Sequence, residues 1–284
     1  MNNHILTLKK IDAYTQYLHA EERAAATIEK YSHDILAFAA WLEDKPVTKE
    51  IVAQWKERLL TEENCSPATV NAKLSALHGL LRFLGWEECK VKFVKVQKRT
   101  FRDASRDLSR DEYQRLVDTA RRLGRERLVL LLETICATGI RVSEVKYITV
   151  EAVRDERTDV SLKGKIRPIL LPAKLCRKLK KYAQKQKIVS GEIFLSENGG
   201  GKSLSRTRIW REMKRICKEA GVEPSKVFPH NLRHLFATTF YRATKDIVKL
   251  ADILGHSSTN TTRIYLLSTD KEHVRYLEQL RLVS

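Results

Sequence analysis

The chain is 284 residues long and carries 53 Lys+Arg against 35 Asp+Glu, a formal net charge of +18 that calls for a polyanionic partner. With 43% hydrophobic and 31% charged residues it is globular in composition, neither disordered nor membrane-like, and long enough to bury a core without help from disulfides. Its five cysteines (Cys65, Cys89, Cys136, Cys176, Cys217) are odd in number and scattered, with no C-x-x-C pair, which suggests neither a disulfide framework nor a thiolate metal site.

The first hundred residues read as a small helical bundle. In "ATIEKYSHDILAFAAWLE", Ile28, Tyr31, Ile35, Phe38 and Leu42 recur at three- and four-residue steps, the period of one buried helical face. In "SPATVNAKLSALHGLLRFLG", Ser66 is a cap and Pro67 the first helical residue. Val70, Leu74, Leu77, Leu81 and Leu84 form the apolar stripe, and Gly85 stops the helix. The period is then lost in "CKVKFVKVQKRTFRDASRD", so a basic linker is expected at about 92–107 between a first domain, 1–91, and a second, 108–284. Ser109 and Glu112 have capping-box spacing. "DVSLKGKIRPILLP" alternates and predicts an antiparallel hairpin with strands near 158–163 and 166–171. Helices resume at "AKLCRKLKKYAQKQ", "SRTRIWREMKRICKEAG", "PHNLRHLFATTFYRA" and "DKEHVRYLEQLRLV". The expected fold is mainly α: a helical bundle followed by an α-rich domain with a small antiparallel β-sheet.

No apolar run approaches the ~20 residues of a membrane span, and "MNNHILTLKK" has no signal-peptide core, so a cytoplasmic location is expected. The glycine turn "ENGGGKS" lacks the first glycine of a phosphate-binding loop and reads as a turn. Residues 1–98 hold 14 basic and 13 acidic side chains, whereas residues 99–284 hold 39 and 22. The charge excess, and with it the nucleic-acid signal, therefore lies in the second domain.

Four stretches of that domain bring together the residue types for one reaction: "ATGIRVSEV", the hairpin turn, "PHNLRH" and "LGHSSTNTTRIY". Cleaving a phosphodiester without metal takes a nucleophile, cations aimed at the non-bridging oxygens, and an acid for the leaving alkoxide. Arginine suits the oxyanion role because its planar fork donates two parallel hydrogen bonds and keeps its charge, which makes Arg141 and Arg233 the candidate pair. His230 and Arg233 are three apart and share a helix face, while the adjacent His234 is expected to point elsewhere. Lys163 at the hairpin tip is the candidate acid for the 5′-oxygen. Taken singly, Arg141 is as readily a surface ion-pairing residue, His256 a residue before a helix cap and Tyr265 a core aromatic. The acidic residues of these blocks do not form the carboxylate cluster of a two-metal nuclease.

The ordered set "ATGIRVSE", "HNLRH", "LGHSS" and "TTRIY", with three residues from His230 to Arg233 and nine from His256 to Tyr265, resembles the tyrosine recombinases, or phage integrase family, in their short Xer-like form. The resemblance spans essentially the whole chain and implies a SAM-like core-binding domain followed by the catalytic domain. It implies that Tyr265 attacks a DNA phosphate to give a 3′-phosphotyrosine and a free 5′-hydroxyl, with Arg141, His230, Arg233 and His256 around the phosphate and Lys163 as the hairpin lysine. The turn "KGKIR" is one residue shorter than the family's usual K-G-x-K-x-R, which leaves Lys165 as a second candidate acid. Glu144 matches an acidic position and is expected to buttress. No separate arm-binding domain of the larger integrases is expected.

The implied activity is site-specific DNA recombination with no metal, ATP or other cofactor. The implied partner is double-stranded DNA with paired inverted half-sites, bound by a homo-tetramer or by a hetero-oligomer, and not a membrane. A C-terminal helix at about 270–282, with Val274, Tyr276, Leu277, Leu280 and Leu282, offers an apolar stripe to a neighbouring protomer or to its own domain. Two rival readings are a type IB-like topoisomerase using the same chemistry and a DNA-binding accessory protein that does not cut.

Overall fold

The computed structural model describes residues 4–96, 104–162, 165–196, 201–256, 258–263, 265 and 279. The chain divides into two compact units, Met1–Lys98 and Arg99–Ser284. Among the described residues no helix is long and apolar enough to cross a membrane.

The first unit is built from α1 (Leu8–Ala20), α2 (Ala25–Leu42), α3 (Lys49–Thr61) and α4 (Pro67–Phe83). Three starts are capped by a hydroxyl that accepts an otherwise orphaned backbone N–H: Thr7 from Lys10, Thr48 from Ile51, and Ser66 from Thr69 with Pro67 behind it. Ile28, Ile35, Phe38 and Leu42 of α2 and Val70, Leu74, Leu77 and Leu81 of α4 are buried in one core, with Tyr31 and Leu84 packed at its edge. Gly79 lets α1 approach α4, since a Cβ there would come within 2.2 Å of the Tyr14 hydroxyl. The first residues of the expected linker belong to this unit. Asn71 donates to the Val94 carbonyl at 2.9 Å and accepts the Val94 N–H at 2.8 Å, pinning that segment to α4.

The second unit opens on α5 (Arg110–Arg122), where Ser109 and Glu112 make both bonds of a capping box. It continues with α6 (Glu126–Thr138), a 3₁₀ helix at Val142–Tyr147 and α7 (Val150–Arg154), then β1 (Arg157–Leu162) and β2 (Lys165–Leu170). α8 (Ala173–Lys185), α9 (Arg206–Arg215), α10 (Cys217–Ala220), α11 (Pro229–Thr244), α12 (Ile247–Leu254) and α13 (Thr259–Arg263) follow. α6 is the central helix: Leu128, Leu131, Leu132 and Ile135 are buried, and α5, α8 and α11 pack around it. The antiparallel hairpin pairs Leu162 with Lys165 and Val160 with Arg167, so the strands are joined through residues 163 and 164 alone. Both strands begin and end one residue earlier than the sequence suggests, because Lys165 pairs in the ladder and is not part of the turn.

Candidate active site

The site is assembled where α6 ends. Gly139 takes φ +64° to close the helix, and a Cβ there would come 2.3 Å from the Phe236 ring of α11, so both conformation and packing require glycine. Two residues on, Arg141 leads into the 3₁₀ helix that carries Glu144. That carboxylate is fully buried. Its Oε1 accepts from Arg141 Nη1 at 2.8 Å, and its Oε2 accepts from the Arg141 backbone N–H at 2.8 Å and from Arg167 Nη2 at 2.5 Å. The Arg141 side chain stays 40% exposed, so it is held at one edge and open at the other.

α11 begins with Pro229 at its first position, where the missing N–H costs nothing. Its next turn places His230 at the surface and buries Arg233. Arg233 donates from Nη1 to the Gly139 carbonyl at 2.6 Å and from Nη2 to the Leu254 carbonyl at 2.7 Å and to His256 Nε2 at 3.1 Å. One guanidinium thus ties the ends of α6 and α12 to α11. Asn231 reinforces the start of α11 by donating to the carbonyls of Arg106 and Lys226, each at 2.8 Å.

α12 ends at Gly255, which takes φ +64°, and His256 follows. A guanidinium cannot accept a hydrogen bond, so His256 Nε2 must be the acceptor in its contact with Arg233. The ring proton is then on Nδ1, which donates to Thr262 Oγ1 at 2.8 Å. Tyr265 is 6% exposed and lies among three imidazoles. Its ring centroid is 5.9 Å from His256 with the planes 13° apart, 6.3 Å from His230 and 5.1 Å from His234.

The electrostatics follow from three neighbouring arginines, of which Arg141 and Arg167 are paired with the buried Glu144 carboxylate. Burial first, then Arg233, Arg141, Arg167 and His230, hold the His256 pKa down at about 4, so the ring is neutral at pH 7. Burial and Arg141 lower Arg233 to about 10, while a hydrogen bond with Tyr265 acts the other way. Burial also lowers Arg167, opposed by Glu144. Neither arginine loses its charge near neutral pH, and the pocket is a positive field with room at Arg141 for an anion.

Of the six residues singled out from the sequence, five are brought together here: Arg141, His230, Arg233, His256 and Tyr265. Lys163 lies outside the described residues, as does nearly all of the expected helix at 270–282; Lys165 is placed in β2. Glu144 is a buttress by position. His234 does not point elsewhere: its ring centroid lies 5.1 Å from that of Tyr265, because His234 is four residues after His230, about 40° round the helix, and so shares its face. Sequence reasoning quoted Arg167 only as the last residue of "KGKIR" and gave it no role; a further signal was its place in the alternation of β2, on the same inward face as Ile169. In the first unit His4, Glu88 and Cys89 bring ligand-type atoms within 4.8 Å of one another. His4 Nε2 is engaged by Glu88 at 2.6 Å, and Cys89, whose thiol pKa burial raises, donates to the Val47 carbonyl.

Comparison with known proteins agrees with this geometry. Residues 106–272 match the model of the phage integrase family, and residues 11–88 match the family's N-terminal SAM-like domain. The chain is 30% identical to tyrosine recombinase XerA of Thermococcus onnurineus (strain NA1), with 96% of this chain and 95% of that protein covered. It is 27% identical to XerA of Pyrococcus furiosus over 100% of this chain and 98% of that one. In fold it is similar to a lambda integrase tetramer bound to a Holliday junction, with a TM-score of 0.74 at 21% identity, covering 93% of this chain and 78% of that one. Matched in both domains and aligned end to end with its relatives, the chain belongs to the phage integrase family and is a tyrosine site-specific recombinase.

Proposed function

We propose that Tyr265 is the nucleophile and that Arg141, His230, Arg233 and His256 form the phosphate pocket of the strand-transfer reaction. The Tyr265 Oη attacks the scissile phosphorus, the bond from phosphorus to the 5′-oxygen breaks, and the 3′-phosphate stays on the tyrosine. The tyrosine proton passes to His230, whose ring lies beside that of Tyr265; His256 has its one lone pair already engaged by Arg233 and serves as a fixed member of the pocket. The leaving 5′-oxygen takes a proton from a hairpin lysine, Lys163 or Lys165. Arg141 and Arg233 hold the non-bridging oxygens as charge grows on them. The phosphotyrosine conserves the energy of the broken ester, so a 5′-hydroxyl from a second strand reverses the attack and completes the exchange.

The observation that carries this reading is the convergence of Arg141, Arg233, His256 and Tyr265 from three separate stretches of chain, with Arg233 bonded to both flanking segments. The substrate is double-stranded DNA with paired inverted half-sites, and strand exchange requires four protomers on it. The charge excess beyond residue 98, where 39 side chains are basic and 22 acidic, supplies the grip. A cytoplasmic setting accords with such a partner. Full-length relatives that are recombinases weigh against the topoisomerase and accessory readings.

The test is a nicked duplex carrying a site selected by the protein from random-sequence DNA. Wild-type protein should accumulate a covalent adduct on it and Tyr265→Phe none, with unchanged affinity. An adduct in Tyr265→Phe would remove Tyr265 from the role.

A further inference from the structure

We infer that Arg167 is a positioning residue for cleavage, holding Arg141 at its working orientation through Glu144 and fixing the turn that carries His256. This rests on the phosphate-binding reading of Arg141 and His256 given above.

Arg167 faces inward because β2 alternates. Arg167 and Ile169 are buried, whereas Ile166 and Leu170 are exposed. A strand position facing a core calls for an apolar side chain, and a guanidinium there is costly unless every direction of its fork is used. The fork is used on two sides: Nη2 reaches Glu144 Oε2 at 2.5 Å and Nη1 reaches the Ile253 carbonyl at 2.9 Å. Its aliphatic stem fills the space under Gly255, where a Cβ would come 2.2 Å from Arg167 Cδ. Three segments distant in sequence, 141–144, β2 and 253–256, are thereby fastened by one side chain. Two of them present a proposed phosphate-pocket residue within three positions of the fastening.

The consequence for Arg141 follows from how Glu144 is shared. With Arg167 on Oε2, only Oε1 is left for the Arg141 guanidinium, which is met by a single nitrogen and keeps its outer edge free. Without Arg167, Oε2 keeps only the Arg141 backbone N–H and has a lone pair open to the side chain. Arg141 can then close on the carboxylate as a bidentate pair, the favoured geometry for that couple, and turn its fork away from DNA. Lysine at 167 would keep the charge but could not bridge Glu144 and Ile253 in two directions at once.

The experiment compares wild type, Arg167→Lys, Glu144→Gln and the double variant carrying both in single-turnover adduct formation on the nicked duplex, with either a normal scissile phosphate or a methylphosphonate. The methylphosphonate lacks one charged oxygen and so asks less of Arg141. On phosphate, Arg167→Lys should lose about 10- to 100-fold, the range seen when a supporting shell is removed. On methylphosphonate the loss should shrink to under about 3-fold, and the double variant should be no slower than the slower single. The ratio of the two rates is internal to each protein, so a destabilised variant still reports. Equal losses on both substrates, additive losses in the double variant, or a wild-type rate in Arg167→Lys would each overturn the inference. Absence of a Tyr265-dependent adduct in the wild type would instead overturn the reading on which it rests.

Discussion

His256 and Arg233 fix each other's protonation: the arginine can only donate, so the imidazole must accept, and its proton sits on the far nitrogen toward Thr262. With a pKa of about 4 in the fold against the ordinary 6.5, His256 resists protonation that the unfolded chain accepts. Its contribution to stability is therefore complete above about pH 6.5 and drains away as pH falls toward 4. Between pH 7 and pH 5 the Tm of wild type should fall more than that of His256→Gln; equal falls would show that the ring titrates normally. For the acid, Lys163→Ala is expected to slow adduct formation far more than Lys165→Ala. A 5′-phosphorothiolate leaving group, which needs little protonation, should rescue the correct variant. The reverse order would move the role to Lys165. At this scale the sequence displayed the proposed reacting groups in their blocks, but it left Arg167 without a role and set His234 against Arg233 instead of against His230, four residues before it. The place of Arg167 depends on contacts with Glu144 and Ile253 that no spacing rule contains.

Elements matter here mainly through how they end. α6 delivers Arg141 only because Gly139 can turn the chain against Phe236, and Arg233 then takes the buried Gly139 carbonyl. Gly139→Ala should destabilise the protein by about 1–3 kcal/mol, from a strained positive φ and a clash with Phe236. It should also slow adduct formation at temperatures where the protein remains folded, measured by chemical unfolding and single-turnover cleavage. At the start of α5, Ser109→Ala removes one bond of a capping box remote in sequence from the site. It should cost about 1 kcal/mol with no effect on cleavage by folded protein. Helices and hairpin were legible because their apolar periods and caps are local: Ile28, Ile35, Phe38 and Leu42, or Ser66 with Pro67. The start of the linker was not, since the cross-link from Asn71 to Val94 joins residues 23 apart. The one-residue shift of the hairpin has the same origin, because pairing of Lys165 with Leu162 is decided by the partner strand.

For the whole molecule the relevant quantity is the uneven charge, 39 basic against 22 acidic side chains in residues 99–284 and 14 against 13 before them. If most of that excess grips phosphate nonspecifically, affinity for a duplex should drop about 10³-fold or more between 50 and 200 mM salt, with the same slope in Tyr265→Phe. A shallow slope would mean that the basic surface faces away from DNA. Removing residues 270–284 should leave binding to a single half-site intact and abolish cooperative filling of paired sites, if that apolar stripe serves a neighbouring protomer. The central claim is that one tyrosine becomes covalently joined to DNA. It is tested most directly by digesting the trapped adduct and sequencing the peptide that carries the nucleotide. The phosphotyrosine should be at Tyr265, with a free 5′-hydroxyl on the released strand. A different adducted residue, or a 3′-hydroxyl beside a 5′-linked protein, would contradict the account.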